Sequence, residues 1–206
     1  MRRIALIDYR AGNLTSVKKA FLAINADLFV PESPADLRDA AAVVVPGVGH
    51  FAATQALTSE WVDAIRSGVE AGRPLLGICL GMQWLFEGSE EAPGSAGLGV
   101  LAGQCYRLPS GTNGTPVKIP HVGWNALDIR RDDSIVDGVA LGAQVYFTHS
   151  FVGPITGDTV AVTQHGQPFA SVVQRAHVAG VQFHPEKSGD VGITILRNFL
   201  RLLEKS

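Results

Sequence analysis

The first half of the chain alternates continuous apolar runs with segments whose apolar residues recur at helical spacing. Four short apolar runs are typical of strands buried on both faces, and they are residues 4–8, 28–30, 41–45 and 75–78. Asn13 can cap the first helix between them, and a later helix that includes Trp61 is ended by Gly72 and Pro74. Because strands and helices alternate, the pattern predicts a parallel sheet with helices on both faces.

Beyond Gly88 the chain becomes rich in loop signals and short strand-like runs. The predicted strands are residues 100–108, 117–119, 125–129, 144–151, 160–163, 170–174 and 178–183, and HGQP at residues 165–168 is typical of a hairpin turn. A last helix carries apolar residues on one side from Ile193 to Leu203. The sequence therefore predicts one α/β domain over residues 1–206. Its sheet is doubly wound and mostly parallel, with helices on both faces and antiparallel strands that extend it.

The charge and cysteine content exclude several kinds of partner. A net charge of −2 and a pI near 6.3 do not favour nucleic acid or a membrane surface. The apolar runs are too short to span a bilayer, and the N-terminal run, broken by Asp8, is too short for a signal peptide. Two cysteines do not make a disulfide framework, which indicates the cytoplasm. Cys105 lies in an apolar run and is predicted to be structural, and we recognise no metal-ligand set and no cofactor motif.

The motif GICLG at residues 77–81 lies where a buried strand meets a helix predicted to begin near Met82. A nucleophile between small residues at such a junction forms a nucleophile elbow, which exposes the Cys79 side chain at the carboxyl edge of the sheet. The backbone N–H of Leu80 would then point at a developing oxyanion. A buried structural cysteine is the alternative for this motif taken alone.

The motif VQFHPE at residues 181–186 supplies the groups that a nucleophilic cysteine needs. Pro185 disfavours helix at the preceding residue, so the segment is predicted to be extended. In an extended segment, His184 and Glu186 point to the same face. A carboxylate beside an imidazole fixes its tautomer and stabilises its cation, as required of a base that activates a thiol. The alternative is that His184 and Glu186 simply end a strand at a solvent-exposed edge.

The motif PGVG at residues 46–49 follows the third predicted strand, so it is expected at the same carboxyl edge. Gly47 and Gly49 allow the backbone to turn sharply. The N–H of Val48 is therefore predicted to be a second oxyanion donor.

Taken together, GICLGMQ, FHPEKS, PGVGHF and PHVGWN resemble the class I glutamine amidotransferases over nearly the whole chain. Within that class they are most similar to the glutaminase subunits of imidazole glycerol-phosphate synthase. The resemblance implies that Cys79 attacks the side-chain amide of L-glutamine, that His184 transfers protons and that Glu186 orients it. It also implies that Gln83 holds the head group of the substrate, with the Ser150 and Phe151 backbone nearby.

The resemblance further implies a partner, a (β/α)₈-barrel synthase subunit that forms a heterodimer with this chain and uses its ammonia. Charged residues make up 17% of the chain against roughly 25% in typical proteins, which indicates a large hidden face. Trp124 is predicted on a loop near the centre of that face, and a core position is the alternative. In relatives, Asn13 and Lys187 lie on the same side.

Two other functions remain open from the sequence. One is a free-standing hydrolase of γ-glutamyl bonds, against which PHVGWN and the lysine at position 187 count. The other is a catalytically idle regulatory protein on the same fold, against which the complete set of Cys79, His184 and Glu186 counts.

Overall fold

The protein, represented by a computed structural model, is described for residues 3–10, 12–112 and 115–204. The predicted domain over residues 1–206 extends outside these ranges. The α-helices of the described residues are α1 (Leu14–Leu22), α2 (Ser59–Glu70), α3 (Leu80–Trp84) and α4 (Gly189–Leu202). Helix α3 begins two residues before the predicted start.

The strands alternate with these helices in the first half and follow one another in the second, as predicted. They are β1 (Ile4–Leu6), β2 (Leu28–Phe29), β3 (Ala42–Gly47), β4 (Leu75–Cys79), β5 (Gly88–Ser89), β6 (Gln104–Arg107), β7 (Gly111–Thr112), β8 (Thr115–Pro116), β9 (His121–Ala126), β10 (Asp128–Ile129), β11 (Gln144–His149), β12 (Phe151–Val152), β13 (Thr159–His165), β14 (Gln167–Arg175) and β15 (Val178–Val181). The predicted strand at 117–119 is wrong, because those residues are irregular.

The main sheet has the strand order β10-β13-β14-β15-β4-β3-β1-β2. Strands β15, β4, β3, β1 and β2 are parallel, and β14, β13 and β10 extend them in antiparallel fashion. The predicted fold class, a mostly parallel sheet with antiparallel extensions, is confirmed. The HGQP segment also connects β13 to β14 as a hairpin, as predicted.

The parallel strands other than the edge strand β2 are buried on both faces, because each supplies alternate side chains to two cores. On β3, Ala42 and Val44 pack in one core with Phe21 of α1 and Phe199 of α4. The intervening Val43 and Val45 pack in the other core, against α2 and α3. This explains why the strands have continuous apolar sequences rather than alternating ones.

Three small sheets of the described residues lie outside the main one, which the sequence does not predict, and the smallest is the pair β7–β8. Strands β9 and β11 pair only with each other within the described chain, and β12, β6 and β5 form a further sheet. On β11, Val145, Phe147 and His149 are buried while the intervening residues are more exposed. One face of the β9–β11 pair therefore covers the core and the other faces outward. Within the described residues, we find no helix with the length and hydropathy needed to cross a membrane.

Candidate active site

Cys79 lies at a sharp turn between β4 and α3. Its backbone has φ 53° and ψ −107°, a conformation that a non-glycine residue rarely adopts. The flanking glycines permit the turn. A Cβ on Gly77 would lie 2.5 Å from the carbonyl oxygen of Gly81, and a Cβ on Gly81 would lie 1.7 Å from that of Val45. The local geometry is that of the predicted elbow, but the prediction that it exposes the Cys79 side chain is wrong, because Cys79 is only 4% exposed and lies at the bottom of a cavity.

His184 and Glu186 form a buried pair beside this cysteine. His184 Nδ1 and Glu186 Oε1 are 2.8 Å apart, and each side chain is only 1% exposed. Burial lowers the pKa of His184, but hydrogen bonding with Cys79 and Glu186, together with their charges, more than offsets this and raises it to about 9. The Nε2 atom of His184 makes no well-aligned hydrogen bond to the described residues, so it is left to act on the nearby thiol.

The backbone after His184 differs from the predicted extended segment. Pro185–Lys187 forms a turn of 3₁₀-helix, although His184 itself is extended with φ −98° and ψ 98°. The prediction of an extended segment is therefore wrong beyond His184. The turn brings Glu186 back against the imidazole, so the predicted contact is made by a different backbone route.

Asn13 contacts this pair directly. It occupies the N-cap position of α1 in a left-handed conformation, with φ 61°, but its side chain makes no cap hydrogen bond. Instead its Nδ2 donates a hydrogen bond to Glu186 Oε1, the same oxygen that pairs with His184. Asn13 is thus the N-cap residue, as predicted, but its side chain does not cap the helix, because its backbone is left-handed rather than extended as in ordinary caps.

The segment of the predicted oxyanion donors lies next to Cys79. Gly47 at the end of β3 is the register partner of Cys79 at the end of β4. Val48 follows, half-buried, and Gly49 is exposed with φ +100°. Leu80 begins α3 directly after the cysteine. The sheet thus brings both backbone segments to the same edge as the thiol.

A polar cavity of about 220 Å³ opens above Cys79. Its lining includes Gly49, Leu80 and the three residues predicted to hold a substrate head group, Gln83, Ser150 and Phe151. Gln83 Nε2 donates to the Phe151 carbonyl oxygen at 2.8 Å. A larger groove of about 530 Å³ lies elsewhere, beside Arg38 and Arg73, and contains none of these groups, so chemistry rather than size identifies the site.

Three further side chains, two at this cavity and one against the cysteine below it, were not found from the sequence. Glu91 lines it and accepts a hydrogen bond from the Phe51 N–H at 2.7 Å. Gln182 Nε2 donates to Cys79 Sγ at 3.6 Å. His149 also lines the cavity, and burial, together with His121, holds its pKa well below the usual value, so it is neutral. Glu91 could not be recognised from the sequence, because it lies in a loop outside the motifs. Gln182 could have been, because it lies inside the VQFHPE motif.

Two of the predicted partner-facing residues, Trp124 and Lys187, lie on the outer side of the β9–β11 pair and beside it. Trp124 is 57% exposed and Val122 is 55% exposed, so a core position for Trp124 is wrong. The predicted loop is also wrong, because Trp124 lies on strand β9. Its ring packs edge-on against Tyr146 of β11, with centroids 6.1 Å apart, and the Lys187 amine lies 5.6 Å from the Tyr146 ring centre. We call Val122, Trp124, Tyr146 and Lys187 the outer face.

No three His, Cys, Asp or Glu side chains gather as metal ligands within the described parts of the chain. Both cysteines are free thiols, Cys79 at the elbow and Cys105 in the core. The candidate site therefore consists of a thiol, an imidazole–carboxylate pair and a polar cavity.

Comparison with known proteins agrees with this arrangement. Residues 5–203 match the family described as glutamine amidotransferase class-I. A solved crystal structure of a glutamine amidotransferase aligns with 97% of this chain and 98% of its own, with a TM-score of 0.75 and 21% identity, and so shows the same fold. The chain belongs to the class I glutamine amidotransferases and is an enzyme of that class.

Similarity to curated proteins assigns the chain to one family within this class. The imidazole glycerol phosphate synthase subunit HisH of Moorella thermoacetica is 43% identical over 207 residues, which cover 98% of this chain and 96% of the relative. The HisH subunit of Pyrococcus furiosus is 40% identical over 205 residues, which cover 98% and 100%. Within its class, the chain is a member of this HisH family.

Proposed function

We propose that the chain is a glutaminase subunit that hydrolyses L-glutamine to glutamate and ammonia and delivers the ammonia to a (β/α)₈-barrel synthase subunit. The observation that carries the proposal is the buried His184–Glu186 pair beside an elbow thiol, Cys79, at the floor of a polar cavity. The names of the HisH relatives favour the same assembly. The synthase would make imidazole glycerol phosphate and an aminoimidazole carboxamide ribotide, a cytoplasmic step of histidine biosynthesis.

The first half of the reaction forms a thioester. With a pKa of about 9, His184 is protonated at neutral pH, which favours a thiolate at Cys79. The thiolate attacks the side-chain amide carbon of glutamine, and a C–S bond forms as the carbonyl oxygen becomes an oxyanion. His184 then gives its proton to the amide nitrogen, the C–N bond breaks, and ammonia leaves. Glu186 holds the imidazole in position through Nδ1.

The second half releases glutamate. His184, now neutral, takes a proton from water, whose oxygen attacks the thioester carbon. The C–S bond then breaks and restores the thiolate of Cys79 beside a protonated His184. In both halves an oxyanion forms, and the N–H groups of Leu80 and Val48 are the donors proposed for it.

The cavity suits an amino acid as substrate. Its volume of about 220 Å³ is small compared with the roughly 300–1,000 Å³ of sites for drug-sized ligands. Glu91 supplies a carboxylate for the α-ammonium group of glutamine, and Gln83, with the Ser150–Phe151 backbone, supplies polar contacts for the rest of the head group. Glu91→Gln should accordingly raise KM more than it lowers kcat.

The test is glutamate release by the purified chain with and without the synthase subunit and its ligand. We expect slow hydrolysis by the chain alone, because the N–H of Val48 is expected to turn toward the oxyanion only when the synthase subunit and its ligand are bound. Loss of one oxyanion donor costs roughly a hundred- to a thousandfold in rate. Brisk hydrolysis without a partner would favour a free-standing hydrolase. No hydrolysis under any condition, by a chain that binds the partner, would indicate a regulatory protein.

A variant at the nucleophile separates chemistry from assembly. Cys79→Ser should bind the synthase subunit and permit turnover with added ammonium salt, yet lose glutamine-dependent activity by several orders of magnitude. Mass spectrometry of the quenched wild-type complex should find a glutamyl adduct on the peptide that contains Cys79. Appreciable glutaminase activity in the serine variant would show that another group is the nucleophile.

A further inference from the structure

The hydroxyl of Tyr9 is buried and has no hydrogen-bond partner in the described residues. Tyr9 follows β1 and is only 5% exposed. Buried polar groups are almost always paired, because an unpaired one destabilises the folded state. Phenylalanine would fill the same space without that cost, so the hydroxyl calls for an explanation other than packing.

The position of this hydroxyl connects it to both proposed oxyanion donors. A Cβ on Gly47 would lie 1.9 Å from the Tyr9 oxygen and 3.1 Å from Leu80 Cβ. The phenol therefore occupies the space that a side chain at position 47 would need, beside the start of α3. Gly47 carries the carbonyl of the peptide group whose N–H belongs to Val48. Burial, with a smaller effect of Cys79, raises the pKa of Tyr9, so the hydroxyl keeps its proton as a donor.

We propose that Tyr9 is a positioning residue that holds the N–H of Val48 on the oxyanion through the carbonyl of Gly47. The inference rests on the proposed function, since an oxyanion must form at Cys79. A trans peptide group is planar, with its N–H and C=O pointing in opposite directions. Strand β3 lies between β4, which ends at Cys79, and β1, which leads into Tyr9. Turning the N–H of Val48 toward β4 therefore turns the Gly47 carbonyl toward the Tyr9 side, where the hydroxyl donates to it.

The segment at residues 46–49, which we call the oxyanion loop, has the freedom for this rotation. Gly47 has no side chain to collide with Tyr9, and a Cβ on Gly49 would meet nothing within 4 Å. Because the hydroxyl has no partner among the described residues, its hydrogen bond forms only in the turned state of the peptide. The hydroxyl thus destabilises the resting chain and stabilises the catalytic orientation of the loop.

The test is Tyr9→Phe, measured as the complex with the synthase subunit and its ligand. The melting temperature of the variant should equal or exceed that of the wild type, because the orphaned group is gone. Its glutaminase kcat should fall roughly tenfold to a hundredfold, somewhat less than the loss of a whole oxyanion donor. KM should change by less than about threefold, since the substrate contacts are intact.

Alkylation of Cys79 by iodoacetamide gives a second readout. Displacement of iodide creates no oxyanion, so the alkylation rate should be the same in Tyr9→Phe and wild type. Cys105 does not interfere, because it is fully buried, burial raises its thiol pKa, and mass spectrometry distinguishes its peptide. Tyr106→Phe is the matched control: this half-buried tyrosine hydrogen-bonds with Gln167, and its removal should leave kcat unchanged.

Every other outcome overturns either the role of Tyr9 or the proposed function. An unchanged kcat in Tyr9→Phe overturns the proposal. A lower melting temperature with a parallel loss of activity assigns the residue to packing, and slower alkylation assigns it to the thiol; both also overturn it. A wild-type complex that releases no glutamate would instead overturn the proposed function, which the wild-type control reveals independently.

Discussion

Asn13 and Glu186 are joined by a side-chain hydrogen bond across 173 positions of the chain. The bond ties the loop before α1 to the carboxylate that holds His184. Partner binding at that loop would therefore act on the His184–Glu186 pair through a direct contact rather than through a series of intervening residues. Because Asn13 has a positive φ, a test of its side chain must preserve the backbone conformation.

We predict that Asn13→Gly lowers the kcat of glutamine hydrolysis several-fold. Glycine keeps the left-handed conformation and removes only the amide. Asn13→Asp should be worse, because a second carboxylate would repel Glu186 and compete for the imidazole. Steady-state kinetics of the complex at saturating partner measures both. Equal activity of wild type and Asn13→Asp would contradict a role for this contact.

We predict that His184→Ala is more damaging than Glu186→Gln. Removal of the imidazole takes away the proton carrier, whereas a glutamine at position 186 still offers an oxygen to Nδ1. Single-turnover rates of the two variants, with the partner at saturation, give the comparison. Indistinguishable residual rates would contradict the assigned roles.

The parts of the site that could be predicted from the sequence are those that depend on residues close together in the chain. The glycines around Cys79 indicated the turn because a Cβ at either place would meet backbone atoms at once. The contact of His184 with Glu186 followed from their separation by two residues, but the 3₁₀ turn at Pro185–Lys187 did not. Pro185 is compatible with both structures, because proline disfavours helix at the residue before it and also suits the first position of a helical turn.

The rest of the site depends on contacts between distant residues, which local patterns do not encode. Glu91 and Gln83 meet the same cavity only because the chain folds back after α3. In the same way, the alternating residues of β11 predicted a strand but not its partner, so its pairing with β9 outside the main sheet was missed. Register and pairing are set by the whole core rather than by one segment.

The raised pKa of His184 makes stability depend on pH. Its pKa is about 9 in the folded protein and about 6.5 in an unfolded chain, so the folded state binds the proton more tightly. This stabilisation is fully present below about pH 6.5 and is lost as the pH rises through about 9. It amounts to up to about 3 kcal/mol. Urea unfolding between pH 6 and pH 10 should show the decline in wild type.

Glu186→Gln is the control for this pH dependence. It removes one of the causes of the raised pKa, so the decline should begin at lower pH and be smaller than in wild type. Other groups that titrate in the same range are common to both proteins and cancel in the comparison. Identical pH profiles would mean that the carboxylate does not stabilise the imidazolium.

The outer face provides the last prediction, which concerns the partner. Trp124 is more than half exposed on a strand, next to Val122 and Tyr146, in a protein with few charged residues. Exposed apolar groups that cluster in this way mark interaction sites, and tryptophan is a frequent anchor. Trp124→Ala should therefore weaken synthase binding or its activation of glutaminase by roughly 2 kcal/mol or more. The melting temperature of the free chain should change little, since an exposed ring contributes little to folding.

Leu141→Ala is the matched control for Trp124→Ala, because Leu141 is 82% exposed and lies outside the outer face. It should leave binding unchanged. Lys187→Ala should affect coupling more than folding, since Lys187 is exposed and its amine contacts the Tyr146 ring from the 3₁₀ turn at Pro185–Lys187. Titration calorimetry with the synthase subunit, beside thermal melts of each free variant, makes the comparison. If Trp124→Ala melts much earlier but binds as tightly as wild type once folded, the tryptophan supports the fold and the outer face is not the docking surface.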